Sequence, residues 1–531
     1  MSTKSHEGLE GWGLFIVTFA IFLAGANTLP IAGFESRFYY FAEQMWQYGG
    51  SFFPTTYGYY YPDYPATYTF LIILSATLLG GMSRLSAILP SALAASITVV
   101  MTYWIGALQN KKWGLCAVCL LLMTVTFFQS ARTLSLDMLI TMITTTCFYI
   151  VYSADIKDKH DRVKFIYLLF IFGFLLRGPI GLIIPAAVVM MYYLQDGNFR
   201  RFFFSGVATF IILLICTFIL LRIAENLGGH EFAHAVLSKE VFGRMSVSHV
   251  PAYFYFTAGL KDYALSFPIA LLVMLGVIYY EQCLQEPTPT LKLLLKCIGW
   301  VAIILIGMSI PGEKKIRYLV PLTPALALLA SSPFVAPQVE RYFYFLRWVL
   351  LRLFLLFPIF LYIGLRFVMH YSVIHALTLP VDYAFMTKLF FVLLALSFVI
   401  YIILHNKQDM RDIGILFIAT VAFIASYLFV VLPIEKSLNY TSVFVSEIEK
   451  ARAANHAALV FYDAPPDGWP IKYLVHAPMN TKPVFIRDEN ELYAYHHKAY
   501  FVTAQPIPVS SMFHVIAHGN IEQKPVVVFE N

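Results

Sequence analysis

The chain has 531 residues, of which 59% are hydrophobic and 13% charged, and its mean hydropathy is +0.70. Soluble domains carry about 25% charged residues, so this composition excludes a soluble globular protein and indicates a polytopic membrane protein. The net charge of +6 is modest and spread over loops, which argues against a nucleic-acid partner and reads as orientation information under the positive-inside rule.

In chain order, Trp12–Leu29 comes first, uncharged and long enough to cross a bilayer. It lacks a basic leader and a small-residue cleavage site, so it reads as a retained helix. Residues 31–85 form a long loop, and its stretch 38–64 is dense in rings, among them Tyr39, Tyr40, Trp46, Phe52, Phe53, Tyr57 and Tyr59 to Tyr61. Such rings read first as an interfacial belt. Apolar runs then recur at 86–107, 113–130, 138–153, 164–177, 178–195, 202–224, 262–280, 293–310, 318–334, 344–369, 384–404 and 412–432. With the first, they make about thirteen spans.

The run Ala66–Leu79 is apolar but short, and reads as a helix lying in the interface. With that choice and the N-terminus inside, the inner loops carry Lys111/Lys112, Lys157 to Lys164, Arg200/Arg201, Arg341/Arg347 and Lys407/Arg411. The C-terminus then lies outside. Beyond Pro433 short strand-like runs appear at Leu459–Tyr462, Val484–Ile486, Tyr500–Thr503 and Val526–Phe529, with a helical stretch at Trp469–Val475. The expected fold class is thus an all-α polytopic membrane protein with a small C-terminal α/β domain outside the membrane, divided into residues 1–433 and 434–531. All six cysteines lie in or beside apolar spans, which argues against a disulfide framework. Cys116 and Cys119 read as packing residues.

Ionisable groups collect at the outer ends of the spans: Glu35, Arg37, Asp63, Arg132, Asp137, Arg177, Glu240, Arg244, His249, Asp262, Lys314, Lys315 and Arg317. Against hydrocarbon such groups pair with one another or with an anionic ligand. Arg177, Asp262 and Arg317 read as snorkelling or structural ion pairs. Cations beside carboxylates suit departure of a lipid-linked phosphate, with a carboxylate taking the proton of an attacking hydroxyl. They suit binding of a transported anion equally well, and periodicity does not separate the two.

Several segments carry a resemblance. Phe34-Glu35-Ser36-Arg37 through Met45 resembles a first-loop motif Asp-Glu-x-Arg-Tyr followed by a short helix. Tyr60-Tyr61-Pro62-Asp63-Tyr64-Pro65 stands where a Pro-rich turn is found. Arg84-Leu85-Ser86 with Leu89-Pro90-Ser91 starts a helix, and Ala131-Arg132 with Asp137-Met138 resembles a second outer-loop motif. Arg177-Gly178-Pro179 matches a basic-Gly-Pro step. Glu240, Arg244 and His249-Val250-Pro251 precede an aromatic helix start, and Ser309 through Lys314-Lys315-Ile316-Arg317-Tyr318-Leu319-Val320-Pro321 is similar to a Ser…Lys…Tyr-x-x-Pro signature. In this order they resemble the GT-C superfamily of polyprenyl-phosphate-sugar-dependent glycosyltransferases, in the group of aminoarabinose transferase (ArnT) and protein O-mannosyltransferase.

The resemblance implies thirteen transmembrane helices, juxtamembrane helices in the first loop and a periplasmic C-terminal domain in a bacterial inner membrane. It implies transfer of a sugar from a polyprenyl-phosphate donor to lipid A, another glycan or a protein, with membrane lipid as the other partner. Arg37, Arg132, Asp137, Arg244, Lys314, Lys315 and Tyr318 are the expected phosphate and substrate contacts. Glu240 and His249 are the expected ligands of a divalent metal, with no organic cofactor. Two departures stand out: the family's first-loop Asp is Phe34 here, and its Glu-Lys pair in the turn becomes Pro62-Asp63. Glu35 or Asp63 then takes the catalytic base role, or activity is lost. The alternatives are a transporter or flippase of lipid-linked sugars and an inactive scaffold of the same fold.

Overall fold

The computed structural model describes residues 2–239, 250–251, 253–281, 288–335, 341–374, 379–437, 440–506 and 513–531. The chain folds into two units. The first comprises Met1–Ala24, Pro62–Tyr68 and Ile88–Val431, and the second Gly25–Tyr61, Thr69–Ala87 and Leu432–Asn531. The long first loop thus groups with the C-terminal residues.

The first unit is helical. Among the described residues, eight helices are long and apolar enough to cross a membrane, or up to eleven if each bent pair is one span. Three of the expected spans are bent pairs, 164–177 and 178–195 form one helix, and 318–334 is made of the short pieces Ile316–Leu322, Thr323–Ser331 and Ser332–Phe334. Lys111–Leu122 meets Val125–Ala131 at 77°, Phe254–Asp262 meets Ser266–Ile278 at 116°, and Arg341–Leu355 meets Phe357–Val373 at 50°. Thr67–Leu79, with 13 residues, is about 20 Å long and too short to cross.

The expected spans 164–177 and 178–195 are the two arms of Phe165–Gln195, broken where Arg177 leaves helical geometry and Gly178 takes φ 59°. In a straight helix, residues eight apart are about 12 Å apart. Here a Cβ placed on Gly173 would lie 2.2 Å from the Gly181 carbonyl oxygen, and one on Gly181 would lie 2.0 Å from that of Gly173. The chain turns sharply at Gly178, a backbone conformation that favours glycine, and its arms touch backbone to backbone.

Polar side chains start the helices where their first N–H groups lack partners. Asn110 accepts from the Lys112 N–H at 2.9 Å, Asn198 from Arg201 at 3.1 Å, and Asp382 from Phe385 at 2.9 Å. Thr288 caps the helix that opens with Pro289.

Charge is segregated to the two ends of this unit. At one end Asp412, fully buried, receives Lys112 at 2.9 Å and Arg347 at 2.6 Å, and Asp409 receives Lys112 at 2.8 Å. Lys111 meets Glu10 at 2.9 Å, and Gln109 donates to Tyr152 at 2.7 Å. Close to Tyr152 in the same helix, Asp155 accepts from Tyr192 at 2.7 Å and Arg201 at 3.2 Å, while Lys296 pairs with Asp196 at 2.6 Å. These contacts bring basic loops expected on the inner face to one end of the bundle. The helix Leu136–Lys157 begins beside Asp137 and ends beyond Asp155, about 27 Å further along its axis.

The second unit holds a five-stranded mixed sheet. After a short hairpin, β1 (Thr55–Thr56) and β2 (Tyr59–Tyr60), come β3 (Ala458–Tyr462), β4 (Pro483–Ile486), β5 (Ala499–Thr503), β6 (His514–Ile521) and β7 (Lys524–Glu530). The order is β4-β3-β5-β7-β6, with β3 parallel to β4 and β5 and the last pairings antiparallel. The strands expected from apolar runs are β3, β4, β5 and β7. The edge strand β6 was not expected, because its apolar run Val515–Ala517 is short and most of the strand is exposed or half-exposed. Val460, Ile486, Leu492, Phe501 and Phe529 form a buried core. The first loop joins this domain through Tyr57, whose hydroxyl donates to the Pro466 carbonyl at 2.8 Å and whose ring meets Phe485 at 5.0 Å. Glu522 accepts from the Gly33 N–H at 2.5 Å and pairs with Lys472.

Gly173→Ala is expected to destabilise the protein by several kcal/mol, because the added methyl meets backbone that has no room to move. Gly307→Ala, with nothing within 4 Å of the new Cβ, is expected to be neutral or slightly stabilising. Thermal unfolding of the two purified variants in detergent checks this.

Candidate functional site

Asp137 sits in the first turn of Leu136–Lys157, where a carboxylate favours the helix N-terminus. One carboxylate oxygen contacts Nη1 of Arg177, and the other lies 3.3 Å from Nε of Arg317. Asp137 and Arg177 are both buried. The Arg177 guanidinium stands 4.7 Å from the Tyr318 ring centroid and that of Arg317 5.9 Å from the same ring. The break at Gly178 presents Arg177 here, since a helix continuing through residue 177 would carry its side chain elsewhere.

Arg317 and Tyr318 belong to the 3-10 segment Ile316–Leu322. Tyrosines hold it: the Tyr263 hydroxyl donates to the Ile316 carbonyl at 2.8 Å, and the Lys315 N–H donates to the Tyr255 oxygen at 3.3 Å. Lys314 donates to the carbonyls of Pro311 at 2.9 Å and Val250 at 3.3 Å, and Lys315 pairs with Glu313 at 2.5 Å. Two arginines thereby meet on one buried aspartate, and Lys314 and Lys315 stand three and two residues before Arg317 in the chain. Guanidinium groups in such a setting match the geometry of phosphate oxygens.

Arg132 meets backbone carbonyls. Its guanidinium donates to the carbonyls of Ile21 at 2.6 Å, Phe22 at 3.2 Å and Ala24 at 2.5 Å. It thus closes the C-terminal end of the first helix, a position where a cation is favoured, and it lies against the rings of Phe128 and Tyr427. Asp63 is buried in the same unit, and its carboxylate accepts from the Tyr64 N–H at 3.0 Å. A hydroxyl chain ties its segment to the Asp137 helix: Tyr68 meets Ser91 at 2.9 Å, and Ser91 accepts from the Ser135 N–H at 2.9 Å.

Glu35 and Arg37 belong to the second unit. Glu35 is buried and faces Arg84, with contacts of 2.6 and 3.3 Å, one to each carboxylate oxygen. Arg84 also donates to the Pro30 carbonyl at 2.8 Å. Sequence reasoning treated Arg84 only as a helix start and missed this pair. Arg37 lies over the rings of Phe38, Phe41 and Tyr61, 5.4–5.9 Å from their centroids. Of the loop rings, Tyr39, Tyr40, Phe41 and Phe53 are buried, whereas Tyr48 and Tyr59 are exposed. Glu43 is buried in the same helix, and burial pushes its carboxyl up to about 8. Burial, and after it the charge of Glu43, raises Tyr39 to about 12.

Glu240, Arg244 and His249 lie outside the described residues. Among the described residues no cluster of three or more His, Cys, Asp and Glu side chains gathers to hold a metal ion.

The family model for dolichyl-phosphate-mannose-protein mannosyltransferase matches residues 63–223, a stretch that includes Asp63, Arg132, Asp137 and Arg177. The crystal structure of ArnT from Cupriavidus metallidurans in the apo state superposes with a TM-score of 0.69 at 14% identity, covering 98% of each chain. The chain therefore shares the fold of this membrane protein. The same ArnT bound to undecaprenyl phosphate gives a TM-score of 0.67 at 15% identity, again over 98% of both chains. An uncharacterized protein of Aquifex aeolicus (strain VF5) is 24% identical over 358 residues, 66% of this chain and 79% of its own. Its long apolar helices make this chain an integral membrane protein, and the small C-terminal sheet domain completes the fold.

The Glu43 shift has a consequence for pH. Its folded-state pKa of about 8 lies above the ordinary 4.5, so the folded protein keeps a proton that the unfolded chain has released. The stability it contributes is complete below pH 4.5 and is lost as pH rises towards 8, at about 1 kcal/mol per pH unit. Glu43→Gln is expected to remove this slope, giving a variant little changed at pH 5 and more stable than the parent at pH 8. Thermal melts of the full-length protein across that range check it.

Proposed function

We propose that this protein transfers a sugar from a polyprenyl-phosphate carrier to lipid A, another glycan or a protein at the periplasmic face of a bacterial inner membrane. The observation that carries the reading is the convergence of Arg177 and Arg317 on buried Asp137, with both guanidinium groups against the Tyr318 ring. The orientation is supported by the basic loops at the opposite end of the bundle, which belong on the cytoplasmic side. The donor class is supported by the dolichyl-phosphate family model and by the bound undecaprenyl phosphate of the related fold.

In this reading Asp137 positions the two guanidinium groups, and these with Lys314 and Lys315 bind the carrier phosphate. As the bond from the anomeric carbon to the phosphate oxygen breaks, charge grows on that oxygen and the cations stabilise it. Arg132 is assigned to the helix end it closes, not to phosphate. Asp63 is the base that takes the proton of the acceptor group, whose oxygen or nitrogen forms the new bond to the anomeric carbon. Direct displacement inverts the configuration there. Glu35 is a poorer base than Asp63, because both of its oxygens face Arg84; its task is to hold the first-loop helix.

Asp63→Asn is expected to lower transfer from a labelled carrier in membranes by about a hundredfold or more. Glu35→Gln is expected to retain most of the transfer rate while unfolding at a lower temperature. Full activity in Asp63→Asn, or loss of activity in a stably folded Glu35→Gln, reverses the base assignment. Arg317→Gln is expected to raise the KM for the carrier by about tenfold, the equivalent of about 1.4 kcal/mol.

A further inference from the structure

At the end of the first unit opposite Asp137 lies a cavity of about 450 Å³ that sugar transfer does not use. Arg200, Arg201, His160, Tyr167, Phe204 and Ser205 contribute to its lining. The two arginines stand in the first turn of Phe199–Leu237, where the helix N-terminus also favours an anion. Arg201 is 3.2 Å from Asp155, and Arg200 is exposed with its guanidinium over the Phe204 ring. Ser205 is 3% exposed, and its Oγ makes no hydrogen bond among the described residues. A buried hydroxyl left in that state is costly unless a ligand meets it.

The surroundings choose the kind of ligand. Residues 155–164 and 196–201 with Lys296 hold seven Lys and Arg against four Asp. Phe165, Leu168, Phe199 and Phe203, all half or more exposed, flank the same helix starts. A cationic hollow with an apolar exposed border fits a molecule with an anionic head and hydrocarbon tails. We propose that this cavity binds the phosphate headgroup of an anionic membrane phospholipid, with the acyl chains along the exposed apolar side chains. The phosphate oxygens reach Arg200, Arg201 and the Ser205 hydroxyl.

The test uses the purified full-length protein in an uncharged detergent and reads the melting temperature as lipid is added. Phosphatidylglycerol is expected to raise it saturably, while phosphatidylcholine and inorganic phosphate leave it in place. Measured against each variant's own lipid-free melting temperature, Arg200→Gln and Ser205→Ala are each expected to weaken the apparent affinity for phosphatidylglycerol, Arg200→Gln by about tenfold. Lys407→Gln, an exposed cation outside the cavity lining, is expected to keep the full response. Equal stabilisation by phosphatidylcholine overturns the proposal, as does an unchanged response in Arg200→Gln. A shift reproduced by inorganic phosphate alone makes this a free-anion site and overturns the lipid assignment. None of these outcomes bears on sugar transfer, which is read at the other end of the bundle.

Discussion

A guanidinium carried into a helical bundle costs several kcal/mol unless its charge and its N–H groups are met there, and the first unit is built around meeting that demand. Arg132 is met by three backbone carbonyls at the end of one helix, Arg347 by Asp412, and Arg177 by Asp137. In the last case the aspartate also touches Arg317, so the same carboxylate that makes Arg177 tolerable fixes a second cation beside it. Two cations on one carboxylate follow from satisfying a buried arginine.

The helix break at Gly178 is part of the same arrangement. It needs a residue at positive φ and two glycines whose backbones touch, and it delivers Arg177 to the level of the Asp137 carboxylate. The 3-10 segment after Lys315 does the equivalent for Arg317 and Tyr318, held by the hydroxyls of Tyr255 and Tyr263. Both cations therefore come from irregular backbone, the kind tolerated at membrane depth only where protein buries it. At the opposite end, regular helix starts with Asn caps carry the basic loops.

Much of this was legible in the residues. The apolar runs announce the helices, the apolar strand runs announce β3, β4, β5 and β7, and the choice of a short interfacial helix at 66–79 agrees with a 13-residue helix too short to cross. The order of motifs from Phe34 to Pro321 carries a resemblance whose fold the superposition on ArnT bears out. Less was legible where exposure hides the pattern: β6 is an exposed edge strand whose apolar residues, Val515 to Ala517 and Ile521, do not alternate with polar ones. Arg84 was passed over because a cation at a helix start looks like solvent-facing charge, whereas here it is buried against Glu35. Arg177 and Arg317 were seen but read as structural pairs, since one residue's role depends on what two other helices bring to it.

By itself the sequence determined the class of molecule and the fold, because hydrocarbon length and the exclusion of charge from it are written residue by residue. It also determined which ionisable groups needed a reason. Only the tertiary structure decided which carboxylate meets which cation. Glu35 is held by Arg84 and Asp137 by two arginines more than a hundred residues apart from each other. Such pairings are set by the packing of helices distant in the chain, and no local pattern encodes a distance between two such side chains.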